Sequence, residues 1–205
     1  MLKDTELRDR VTWSILLALS AFLGLSCGAC VSETYIFLVF FACMAEWTSL
    51  SEKFAITEIA MLGYFVIFSF WLSALHYATN ISEFLRILCM VWVSDISAYF
   101  VGRSGFMSVK LWPTISPNKS LGGSLGSLMF CAIIGTVLFK MPVEKALLIS
   151  ITAQAGDLVE SAMKRLAGVK DSNLELYHIP GHGGVLDRVD GLLFTLPCLI
   201  MYKYY

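Results

Sequence analysis

The 205-residue chain is 57% hydrophobic and only 15% charged, with a mean hydropathy of +0.72, whereas soluble globular domains are about a quarter charged. That excludes an ordinary soluble domain and leaves a polytopic membrane protein. The formal net charge of −1 by itself says nothing about nucleic acid, and no nucleic-acid partner is expected.

Apolar runs long enough for spans of roughly 20 residues begin near Val11, Thr34, Ala55, Phe84, Leu121, Val143 and Gly191. They predict an all-α integral membrane protein of about seven transmembrane helices. The first run is flanked by Lys3, Arg8 and Arg10 and lacks a small-residue cleavage site, so a retained span is expected and not a signal peptide. Cys27-Gly-Ala-Cys30 has redox or metal spacing, but without a second Cys or His pair it reads as packing inside a span. Cys43, Cys89, Cys131 and Cys198 also lie in apolar runs, and no disulfides are expected. Glu46 and Glu58 interrupt the second and third runs near their ends, where snorkelling or pairing with Lys53 accounts for them. In the fourth run Asp95 and Tyr99 share a face beside Ser94, and an acid in the inner half of a span points to function.

No linker, repeat or low-complexity segment divides the chain, so residues 1–205 form one membrane domain. Two polar connections, roughly Gly102 to Ser120 and Leu166 to Asp187, exceed what simply packed helices need and are candidates for function. Ser116-Pro-Asn-Lys119-Ser-Leu-Gly-Gly in the first could serve an anion at a helix N-terminus, or Ser120 could simply cap the fifth helix. Asp157, Glu160, Ser161 and Lys164, spaced i, i+3, i+4 and i+7, form one stripe on the sixth helix. That stripe can hold a cation and meet a phosphate, or its members can pair with one another. Asp187 and Asp190 repeat the pattern around Arg188 at the start of the last helix, where the helix dipole alone favours carboxylates. Two carboxylate pairs joined by one glycine-rich connection suit Mg²⁺, which takes one or two carboxylates and leaves room for phosphates. Pro180-Gly181-His182-Gly183-Gly184 permits positive φ and close backbone approach to a ligand, with His182 either catalytic or a structural hydrogen-bonding group.

Orientation follows from the basic residues. With the N-terminus in the cytoplasm, that side holds Lys3, Arg8, Arg10, Lys53, Arg103, Lys110, Lys119, Lys164, Arg165, Lys170 and Arg188, against Arg86, Lys140, Lys145 and Lys203 opposite. Both polar connections then face the cytoplasm.

Ser161-x-x-Lys164-Arg165, Lys170-Asp171-Ser172 and Pro180-Gly181-His182-Gly183-Gly184-x-x-Asp187-Arg188-x-Asp190 form a long, specific pattern. On it the chain resembles the phosphatidate cytidylyltransferase, or CDP-diacylglycerol synthase, family over about residues 90–195. Gly156-Asp157-Leu158, Asp95-Ile-Ser-Ala-Tyr99 with Gly102-Arg103, and Ser116-Pro117 with Lys119 extend the likeness. Departures are Asn118 and Gly122, which replace a lysine and an acid, and extra residues within Asn173 to Ile179.

The resemblance implies transfer of the cytidylyl group of CTP to phosphatidic acid, giving CDP-diacylglycerol and pyrophosphate for phospholipid synthesis. It implies Mg²⁺ held by Asp157, Glu160, Asp187 and Asp190, with a second, monovalent or divalent, ion left open. Catalysis would fall to Asp157, Lys164, Arg165, Lys170, Asp171, His182, Asp187, Arg188 and Asp190. Substrate contacts would fall to Asp95, Tyr99, Ser116, Lys119, Ser161, Ser172, Gly181, Gly183 and Gly184. A bacterial inner membrane, a cytoplasm-facing site and a homodimer complete the expectation.

Two alternatives stand beside it. Asp187-x-x-Asp190-Gly191 mimics the opening of a CDP-alcohol phosphatidyltransferase motif, whose remaining Asp-Gly-x-x-Ala-Arg and later acids are missing. Glu46, Glu58, Asp95, Asp157 and Glu160 could serve ion or proton transport, which inverted repeats or broken helices would support.

Overall fold

Apolar runs that cannot leave backbone groups unpaired in lipid must become helices. The computed structural model, which describes residues 12, 16–54, 56–169 and 183–204, contains seven: α1 (Leu16–Ser26), α2 (Ala29–Ser51), α3 (Thr57–Ala78), α4 (Ile81–Arg103), α5 (Leu121–Val137), α6 (Val143–Leu166) and α7 (Leu186–Tyr204). Among the described residues, α2, α3 and α4 are long and apolar enough to cross a membrane by length and composition alone. α1 and α5 are apolar but shorter, while α6 and α7 carry the charged residues of the site and are diluted by them. The protein is accordingly an all-α integral membrane protein with three candidate spans among the described residues.

Local chemistry sets the ends. Asn80 caps α4 by accepting from the Glu83 amide at 3.3 Å, and Ser120 caps α5 by accepting from the Gly123 amide at 3.2 Å. The bland alternative for Ser120 therefore holds. The last helix begins at Leu186, ahead of the apolar run at Gly191, because carboxylates satisfy amides just upstream.

One expectation is corrected. The connection before α5 is not plain loop: β1 (Lys110–Trp112) and β2 (Ser116–Ser120) pair antiparallel, Lys110 opposite Ser120 and Trp112 opposite Ser116, with an irregularity between. Strands this short leave too little alternation to be seen in sequence. The hairpin matters because it carries Lys119 to α6.

In lipid, helices gain little from hiding apolar surface from one another, so close packing and interhelical hydrogen bonds hold them. α4 packs mainly on α5, and α6 on α7, which also lies against α3. Ile87, Met90, Ile149 and Leu196 are fully buried between them. A hydroxyl chain crosses the same interior: Ser94 and Ser127 lie 2.7 Å apart, Ser127 and Ser150 2.8 Å, and Gln154 donates to Ser150 at 3.1 Å. Outward faces are apolar, including Leu38 and Phe41 on α2, Met61 and Phe65 on α3, and Phe100 on α4. Such an apolar belt suits contact with lipid tails. Cys27, between α1 and α2, and Cys30, in the first turn of α2, are exposed free thiols and do not pack in the interior as expected.

Candidate active site

The polar stripe of α6 forms as its spacing predicts. Asp157 accepts an ion pair from Lys119 Nζ at 2.5 Å, and Ser161 Oγ donates to it at 3.4 Å. One turn on, Lys164 Nζ lies 2.6 Å from Glu160 Oε2 and 2.6 Å from Asp187 Oδ1. Glu160 is only 6% exposed, and a carboxylate that deep needs a cation beside it. Lys164 thus joins α6 to α7. Gly156 allows the approach, because a Cβ there would collide with the Asp190 carbonyl.

At the start of α7, Gly183 has φ +69, a conformation that favours glycine. The next amide, Gly184 N–H, donates to Asp187 Oδ2 at 2.8 Å. The Val185 and Leu186 amides donate to Glu46 Oε1 and Oε2 of α2, at 2.7 and 2.8 Å. Of the expected phosphate cradle Pro180–Gly184, only Gly183 and Gly184 are described, and one of its amides, that of Gly184, serves a carboxylate. Lys170, Asp171, Ser172, Gly181 and His182, with Pro180, lie outside the described residues.

Asp95 lines a cavity of about 530 Å³ together with Gly184 and Arg188. The rest of its wall is apolar, with Leu25 of α1, Ile36 of α2, Phe70 of α3, Trp92 of α4 and Leu192 of α7. The polar members belong to the end where α4 finishes and α7 starts, so the cavity is amphipathic along its length. Asp95 and Asp190 are electrostatic neighbours of Asp157, and the Asp190 carboxylate also accepts from the Gly191 amide at 2.6 Å.

Several expected partners stand apart. Tyr99 is exposed and accepts from Arg103 at 3.0 Å, so it does not join Asp95 in the cavity. Arg165 is exposed and donates to the Val169 carbonyl at 3.1 Å, back on its own chain. Ser116 sits in the hairpin opposite Trp112. Conversely, Glu46, expected to snorkel or to pair with Lys53, is 4% exposed and bound to the start of α7. Its place in an apolar run was the available signal.

The four carboxylates expected to hold a metal divide into two settings. Glu160 and Asp187 share Lys164, whereas Asp157 and Asp190 face Asp95 across α4, α6 and α7. Among the described residues no group of three or more His, Cys, Asp or Glu side chains is arranged as a metal cluster. The donor type of the Asp157 setting, carboxylate oxygens with only Asp95 of the three on the cavity wall and Asp157 engaged by Lys119, is nevertheless the type a hard cation takes.

Comparison with known proteins agrees with this chemistry. A family model described as the Cytidylyltransferase family matches residues 52–205. The chain is 44% identical to the phosphatidate cytidylyltransferase of Bacillus subtilis over 119 residues, which is 54% of this chain and 43% of that protein. It is 40% identical to the phosphatidate cytidylyltransferase of Staphylococcus haemolyticus over 165 residues, 75% of this chain and 60% of the relative. The Staphylococcus aureus protein of the same name is 39% identical over 166 residues, with the same coverage of 75% and 60%. The chain spans about half the length of the curated relatives it matches.

Proposed function

The chain belongs to the cytidylyltransferase family, and from that premise we propose that it transfers the cytidylyl group of CTP to phosphatidic acid, forming CDP-diacylglycerol and pyrophosphate. One observation carries the reading. An apolar cavity with Asp95 and Arg188 in its wall lies beside the cluster of Lys119, Asp157, Lys164 and Asp187. Such a site suits a substrate that is part hydrocarbon and part phosphate.

In the reaction a phosphate oxygen of the lipid attacks the α-phosphorus of CTP, and the bond from that phosphorus to the bridging oxygen of pyrophosphate breaks. The second pKa of a phosphate monoester, near 6, leaves the nucleophile substantially ionised, so no general base is needed. The principal obstacle is repulsion between two anions, about 4 kcal/mol per pair of unit charges at 4 Å and an effective dielectric of 20. Lys119 and Lys164, fixed by their ion pairs with Asp157, Glu160 and Asp187, would offset that repulsion in place. Arg188 meets the lipid phosphate where the cavity becomes polar. The apolar wall takes acyl chain and excludes water. Mg²⁺ would be held by Asp157 and Asp190 with Asp95 facing them, and when bound it would neutralise triphosphate charge and favour departure of pyrophosphate.

The same reading places all seven helices in a bacterial inner membrane, as a homodimer, with the site facing the cytoplasm, where CTP is found. The basic-residue asymmetry supports the orientation. The family match favours this activity over the phosphatidyltransferase and transporter alternatives. The test is purified protein with radiolabelled CTP and phosphatidic acid, with and without Mg²⁺. Labelled CDP-lipid that requires a divalent ion is expected, and its absence across a range of divalent ions would contradict the reading.

A further inference from the structure

Glu46 lies near the end of α2 among Cys43, Trp47 and Leu50, all buried. A carboxylate in such surroundings is costly unless strong donors meet it. Here the donors come from the opposite end of the chain: the amides of Val185 and Leu186 at 2.7 and 2.8 Å. These are charge-assisted bonds at a helix N-terminus, where the dipole also favours an anion. They fix the point at which α7 begins. Asp187 follows immediately, with Oδ2 on the Gly184 amide and Oδ1 on Lys164.

We infer that Glu46 is a positioning residue for the transfer reaction, tethering the first turn of α7 so that Asp187 and Lys164 meet the triphosphate in register. Glu46 touches neither substrate on this account; it acts through the backbone of Val185 and Leu186. The inference rests on the function proposed above.

The experiment compares wild type with Glu46→Gln in detergent, by steady-state kinetics and by hydrogen–deuterium exchange. The amide keeps the size but replaces one acceptor oxygen by a donor. Losing one charged hydrogen bond should lower kcat roughly ten- to hundredfold, with the KM for CTP nearly unchanged. Exchange should accelerate in the peptide covering residues 183–190 and not in α4. An unchanged kcat would overturn the inference, whatever the exchange does. So would a loss of activity accompanied by faster exchange throughout the bundle, which marks a merely structural acid. Failure of wild type to form CDP-lipid would sink the parent reading instead, and unchanged exchange at 183–190 would then still refute the tether.

Discussion

Lys164 stands between two carboxylates, Glu160 and Asp187, each 2.6 Å away. Removing a cation from a buried pair leaves uncompensated charge and costs about 3–5 kcal/mol. Lys164→Met should therefore lower the melting temperature in detergent, and adding Glu160→Gln should restore part of the loss. A Lys164→Met protein that melts like wild type would show that the bridge does not form. Asp157→Asn and Asp187→Asn test chemistry instead. Each should cut turnover by roughly a hundredfold or more, the scale on which one preorganised electrostatic group acts. Glu58→Gln serves as control, since Glu58 is exposed and its only described hydrogen bond is a 3.4 Å contact from Thr57. Normal turnover of either Asn variant at limiting Mg²⁺ would remove that carboxylate from the site. At this scale the α6 stripe was legible because a 3.6-residue period places i, i+4 and i+7 together. Glu46 was not, because its partners lie 139 and 140 positions away and no local pattern announces them.

The elements matter through their closeness. α6 and α7 approach at Gly156, where any side chain would strike the carbonyl of Asp190. Overpacking of this kind costs about 1–3 kcal/mol. Gly156→Ala should melt earlier and turn over at least about tenfold more slowly, because separating the helices moves Asp157 away from Asp190. Wild-type kinetics and melting in that variant would show that the contact is not tight. Helix positions followed from apolar runs, yet two boundaries moved for reasons outside hydropathy. α7 starts at Leu186 since carboxylates receive its upstream amides, and the connection before α5 gains a hairpin that brings Lys119 to Asp157. Both depend on contacts between distant segments, which a one-dimensional pattern does not contain.

At the scale of the molecule, ion pairs form at two ends. Glu46, Lys119, Asp157, Lys164 and Asp187 gather at one, while Lys145 of α6 pairs with Glu83 of α4 at 2.5 Å at the other. In the proposed orientation, which the basic-residue asymmetry supports, the first end faces the cytoplasm. Single cysteines in a cysteine-free background should thus label from the cytoplasmic side at Ser116 and from the opposite side at Glu33 and Pro142. Labelling of Ser116 from outside intact cells would separate the site from cytoplasmic CTP. In the proposed reaction this end of the bundle transfers a cytidylyl group from CTP to phosphatidic acid. Its most direct test is simultaneous measurement of liponucleotide and pyrophosphate from purified wild type and Asp187→Asn, given CTP, phosphatidic acid and Mg²⁺. Wild type should yield CDP-diacylglycerol and pyrophosphate in equal amounts and the variant almost none; pyrophosphate without CDP-lipid, or equal yields from both proteins, would overturn the proposed reaction.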